Sequence, residues 1–176
     1  MNDITLKQKI MDYYSIIDTS TNVKEGVFTH NQDVVDRIIE MFAENGQYAR
    51  EGTPLLIGKD ALKTFFGKDR PLVGKHIIDE PIIGDGIDLD FSKVNTELPS
   101  ELNDGSNLRT VIVKGDFIGE KHADGKVIDA NLEFDDFWVC NDAGEIVYRQ
   151  SDIRDLNQRI DPKTSNATSH QATVSY

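Results

Sequence analysis

Cysteine is nearly absent: Cys140 is the single one among 176 residues. An internal disulfide is therefore impossible, and a reducing, cytoplasmic setting is the expectation. No run comes near the ~18 to 20 apolar residues that a membrane-crossing helix needs. The opening stretch MNDITLKQKIMDYY has neither the basic start nor the apolar core of a secretory signal. Positive charge is also scarce, 19 Lys and Arg against 31 Asp and Glu, for a formal net charge of −12. Such a surface repels phosphate backbones unless a basic patch is segregated, and the sequence holds none, so no nucleic-acid partner and no membrane are expected. No His or Cys pair has metal-ligand spacing, and phosphate-binding glycine loops and Gly-x-Ser-x-Gly elbows are missing. No metal and no cofactor are therefore expected.

What is present is an ordinary globular composition, 38% hydrophobic and 28% charged, enough for one domain with a core. Leu6, Ile10, Tyr13, Tyr14 and Ile17 recur at helical spacing. After a polar interruption from Thr19 to Asn31, a second helix carries Val34 to Phe42 and ends at Glu44-Asn45-Gly46. A short extended piece, Gln47 to Arg50, precedes a third helix that begins near Lys59 or Asp60. Beyond Pro71 the pattern becomes alternating, with strands expected over His76 to Ile83, Leu108 to Gly119, Val127 to Cys140 and Glu145 to Ile153. Ala123-Asp124-Gly125 and Asn141-Asp142-Ala143-Gly144 are hairpin turns. The fold class is α+β, an antiparallel meander covered by three N-terminal helices. The domain is expected over 1–157. The acid-rich stretch 85–107 is expected as a loop insertion or flap, and 158–176 as a disordered tail.

One strand poses a chemical question. In ANLEFDDFWVC, residues 130–140, alternation puts Ala130, Leu132, Phe134, Trp138 and Cys140 on one face, with Asp136 among them. An ionised carboxylate is costly to bury alone. Either Asp136 is held neutral, as a hydrogen-bond donor to an enolate-like oxygen, or it pairs with an arginine. Tyr13 at helical spacing reads as core with a satisfied hydroxyl. His76 could move protons near neutral pH, or be structural. Cys140 reads as a buried, inert thiol, and Asp152 as a partner for Arg149 or Arg154.

Two phrases extend this. IIEMFAENGQYAREGTPLLIGKDALKTFF resembles the segment of NTF2-like proteins in which a helix ends, a short strand passes and a Gly-Lys-x-Ala helix begins. VCNDAGEIVYRQSDIRDL resembles their closing hairpin, and the SnoaL-like and ketosteroid-isomerase-like group is the nearest match. The resemblance covers about residues 5–156 without the 85–107 excursion. It implies a cone, a strongly curved sheet wrapped around helices, with dimerisation through the outer sheet face. It also implies oxyanion-hole roles for Tyr13, or Tyr14 one residue on, and for Asp136, eight positions before Gly144. The family's general-base position holds Arg50 here, with Glu51 adjacent; Arg50 inside a cavity could bind a substrate carboxylate or pair with Asp136. The expected catalytic set is thus Asp136, Tyr13, His76 and Glu51, and the expected substrate-binding set Arg50, Trp138, Phe134 and Tyr14. The expected function is a small cofactor-independent isomerase, cyclase or dehydratase acting on an apolar carbonyl compound. A non-catalytic module that binds a ligand or partner stands beside it, as does an epoxide-hydrolase-like activity using Asp136, Arg50 and Asp152.

Overall fold

A computed structural model describes residues 1–85 and 108–158, so the expected flap and tail lie outside the described residues. Helix α1, Asp3–Ile17, is capped by the Asn2 side chain, which accepts from the Thr5 amide at 2.8 Å. Its buried stripe is Leu6, Ile10, Tyr13, Tyr14 and Ile17. The polar interruption folds into a two-stranded hairpin, β1 (Thr21–Lys24) and β2 (Val27–His30). These strands are largely exposed and lack the apolar alternation that would have revealed them. Helix α2 spans Gln32–Glu40 and stops earlier than expected. The chain leaves it because the Met41 carbonyl accepts from the Ile146 amide at 2.9 Å, which draws Phe42 into strand β3, Phe42–Arg50. Tertiary pairing overrides helical propensity here.

Strand β4 (Leu56–Ile57) leads to α3 (Lys59–Thr64), which runs on into a π-helical turn, Phe65–Asp69. The strand expected over His76 to Ile83 is two strands, β5 (Leu72–Ile78) and β6 (Ile82–Asp85), divided at Pro81. Both pair with the long β7, Arg109–Ala123, which pairs along its whole length with β8, Lys126–Cys140. The last strand is β9, Ile146–Asp155.

The seven-stranded sheet runs β4-β3-β9-β8-β7-β5, with β6 also on β7. It is mixed rather than wholly antiparallel, because β3 and β9 pair in parallel. Its inner face and the three helices share one core, from Leu6, Ile10 and Ile38 to Phe66, Val111, Phe117 and Trp138. This is the α+β cone. No helix among the described residues is long and apolar enough to cross a membrane.

Candidate active site

The site is built on the facing strands β8 and β9. Alternation along β8 turns Leu132, Phe134, Asp136 and Trp138 inward. On β9 simple alternation fails, because the pairing shifts register between Val139/Tyr148 and Cys140/Ile146. The irregularity puts Ile146 in the inner core and Tyr148 in a small cluster with Ala49 and Val139. From Arg149 onward the opposite set, Arg149, Ser151 and Ile153, is buried beside the inner residues of β8. A one-residue slip exchanges the faces of everything beyond it.

Arg149 thereby meets Asp136. Its Nη2 donates to Asp136 Oδ2 at 2.7 Å, with both side chains about 97% buried or more. Tyr14 donates to the same oxygen at 2.6 Å, and Ser151 donates to Oδ1 at 2.5 Å. Three donors converge on the carboxylate, so its oxygens act as acceptors. The expectation of a neutral, donating acid is corrected here: a guanidinium clasps the group, and it is that of Arg149 rather than Arg50. Burial works against the charge of Arg149, but Asp136 together with Tyr13, Tyr48 and Tyr14 outweighs it and holds the guanidinium charged. Trp138 Nε1 donates to the Tyr14 oxygen at 3.2 Å, and Arg149 Nη1 donates to the Tyr13 oxygen. Burial first, then Asp136, push the Tyr14 phenol well above its ordinary range; burial does the same to Tyr13. Both remain protonated.

A second constellation lies on the other flank of Tyr14. Asp18, where α1 ends, accepts from the His76 backbone amide with Oδ2 at 3.0 Å and faces His76 Nδ1 with Oδ1 at 2.5 Å. Both carboxylate oxygens grip one residue, which fixes the ring's orientation and tautomer. The imidazole sits among the rings of Tyr14, Phe117 and Phe134, at centroid distances of 5.3, 4.9 and 5.4 Å. Burial depresses its pKa, and Asp18 opposes that shift without cancelling it. Among the described residues, nothing is hydrogen-bonded to Nε2.

The structure gathers Tyr13, Tyr14, His76, Phe134, Asp136 and Trp138 around one interior. Arg50 also turns inward, with its guanidinium 4.0 Å from the centroid of the Phe65 ring. Glu51 is not brought there: β3 ends at Arg50, and Glu51 lies exposed in the following turn. Asp152 points outward and pairs with Arg154 at 3.3 Å. The Cys140 thiol is pushed up to about 12 by burial. Sequence reasoning missed Asp18, Ser151 and Arg70, and assigned Arg149 only to Asp152. Asp18 had a signal, since it follows Tyr14 by one helical step of four. Arg149 had none, because the register shift that turns it inward is a property of the paired strands. Among the described residues no three His, Cys, Asp or Glu side chains cluster to hold a metal ion. A surface groove of about 620 Å³, lined by Asp3, Lys7, Met11, Glu80 and Ile82, shares no residue with this interior.

No family model matches this chain, and no curated protein does. A ketosteroid isomerase-like protein from Erwinia carotovora atroseptica superposes with a TM-score of 0.52 at 12% identity, over 86% of this chain and 96% of that one. The fold is NTF2-like. An NTF2-like protein from Novosphingobium aromaticivorans matches over 83% of this chain and 77% of its own, at 14% identity and a TM-score of 0.47. The Anabaena orange carotenoid protein, solved with canthaxanthin, matches 82% of this chain at 16% identity and a TM-score of 0.51. This chain spans only 35% of that protein's length. At such identities the NTF2-like likeness is one of fold.

Proposed function

We propose that the NTF2-like cone takes up a small, largely apolar carbonyl compound and that His76 moves a proton on it, as in an isomerase or dehydratase. The observation that carries this is the double grip of Asp18 on His76, which spends Nδ1 and, among the described residues, leaves Nε2 uncommitted between aromatic rings. A buried imidazole with a depressed pKa is neutral at pH 7 and so carries a basic lone pair. In the proposed step Nε2 takes a proton from the carbon next to the carbonyl, and the electron pair moves onto the carbonyl oxygen as an enolate. The imidazolium then returns the proton at another carbon, or to a departing hydroxyl that leaves as water.

Tyr13 is the donor assigned to the developing oxyanion. Its oxygen accepts from Arg149, while among the described residues its own proton has no acceptor. Asp136 holds Arg149 and Tyr14 in place. Phe134 and Trp138 form the apolar wall.

The test is deuterium uptake at C1 of 2-tetralone in D2O, followed by NMR. The wild-type chain accelerates exchange, and His76→Gln lowers that acceleration about 100-fold or more, the usual size of a general-base contribution. Equal exchange by both chains would remove His76 from the chemistry.

A second reading, a non-catalytic ligand-binding module, is favoured by the Asp136 cluster, in which three donors already saturate the acid. Saturable binding of the ketone without exchange would select it. The proposal includes a cytoplasmic homodimer joined through the outer sheet face. Ile77, Ile112 and Ile118 support this, lying exposed there on β5 and β7.

A further inference from the structure

We infer that Arg70 is an anion-binding residue of the cone and that its ligand is an apolar molecule bearing a carboxylate. The inference rests on the proposed function for the location of the ligand, and adds its charge. Arg70 is only 3% exposed, yet among the described residues no carboxylate lies within ion-pair distance of it. Among the described residues its guanidinium makes one hydrogen bond, from Nη1 to the Leu72 carbonyl at 3.2 Å, and it lies 6.0 Å from the centroid of the Phe117 ring. Five N–H donors are available on a guanidinium, so most of its capacity is unspent. A charge buried without a partner is strongly unfavourable, and a fold that keeps one has a use for it.

The position is firmly built. The Arg70 amide donates to the Phe65 carbonyl at 2.8 Å, closing the π-helical turn. The Arg70 carbonyl contacts His30 Nε2 at 2.8 Å, tying it to the β1–β2 hairpin. The side chain therefore starts from a backbone fixed on both sides. It faces the same interior as the proposed base, since both border the Phe117 ring, the guanidinium at 6.0 Å and the His76 imidazole at 4.9 Å from its centroid.

The interior's own acids are committed elsewhere. Asp18 spends both oxygens on His76, and Asp136 is saturated by Arg149, Tyr14 and Ser151. A chain of net charge −12 thus keeps an unspent positive charge inside its cone. A guanidinium fork beside the Phe117 ring suits a planar carboxylate on an aromatic or alicyclic body.

The probes are 1-naphthoate and 1-naphthaldehyde, which share one ring system and differ in charge. Both are titrated calorimetrically into the full chain at pH 7.5. Naphthoate is expected to bind at least tenfold more tightly, and Arg70→Gln to reduce it to the level of the aldehyde. An equal affinity for the two probes, or a preference that survives R70Q, overturns the inference. Should R70Q not fold, the 15N guanidinium resonances of the wild-type chain decide. A resonance shifted by naphthoate and not by the aldehyde supports the site, and none shifted overturns it. Complete displacement of naphthoate by inorganic phosphate at equal concentration also overturns it, since the pocket would then recognise a phosphate. Binding of the aldehyde with no preference for the acid defeats only the role of Arg70. Binding of neither probe defeats the cone as a small-molecule site as well.

Discussion

Asp136 and Arg149 show how two residues constrain each other once water is gone. Each alone would be a severe burden, and together with Tyr14 and Ser151 they form a closed acceptor-donor set. Asp136→Asn removes one charge and strands the other. We expect it to destabilise the chain by about 3–5 kcal/mol, read from urea unfolding, and to do so whether or not activity is found. A loss under about 1 kcal/mol would mean that the pair is solvated. His76 gives a stability effect with a definite sign. Its folded pKa lies below the unfolded value of about 6.5, so between the two the unfolded chain binds more protons. Stability contributed by the neutral ring is complete above pH 6.5 and is lost as pH falls towards the folded pKa. The melting temperature should therefore drop between pH 7.5 and pH 5.5, and His76→Gln should flatten that slope. Identical slopes in the two proteins would contradict the assignment.

At the scale of elements, strand pairing decides what the site can contain. The shift between Cys140/Ile146 and Val139/Tyr148 turns Arg149 and Ser151 inward; without it they would point outward and Asp136 would keep only Tyr14. On the neighbouring pair, Gly115 of β7 lies across from Ile78 of β5 and Phe134 of β8. A Cβ there would come within 2.4 Å of the Ile77 carbonyl oxygen and 2.9 Å of Phe134 Cζ. Backbone cannot yield as a flexible side chain would. Gly115→Ala should cost about 1–3 kcal/mol, the usual range for overpacking, with a matching fall in the urea midpoint. It should also disturb the packing of Phe134 against Tyr14, whose rings stack at 5.8 Å. A midpoint equal to that of the wild type would show that the two strands have room to separate.

For the molecule as a whole, the sheet separates two environments. The inner face holds the aromatic and charged cluster, and the outer face leaves Ile77 and Ile118 each 54% exposed. Lys75, Lys114, Asp116 and Glu120 surround them, an apolar strip in a mixed-charge rim of the kind that pairs with a copy of itself. Sedimentation at micromolar concentration should give a dimer, and Ile77→Lys with Ile118→Lys should give a monomer with unchanged circular dichroism. A monomeric wild type would assign the strip to another role.

Much of this could be read from the residue order. Leu6, Ile10, Tyr13, Tyr14 and Ile17 at helical spacing specify the buried stripe of α1, because side-chain direction on a helix depends only on local geometry. Alternation in β8 likewise sends Asp136 and Trp138 inward, since β8 keeps its register against β7 without a break. The hairpin turns at Asp124-Gly125 and Gly144 follow from residues that accept positive φ. What only the tertiary structure decided is which charges meet. The end of α2 at Glu40, the irregularity in β9, the grip of Asp18 on His76 and the burial of Arg70 all depend on segments far apart in the chain. Local periodicity has no term for such encounters. They are set by backbone pairing and by the cost of leaving a buried charge alone, which act only once the sheet has closed over its helices.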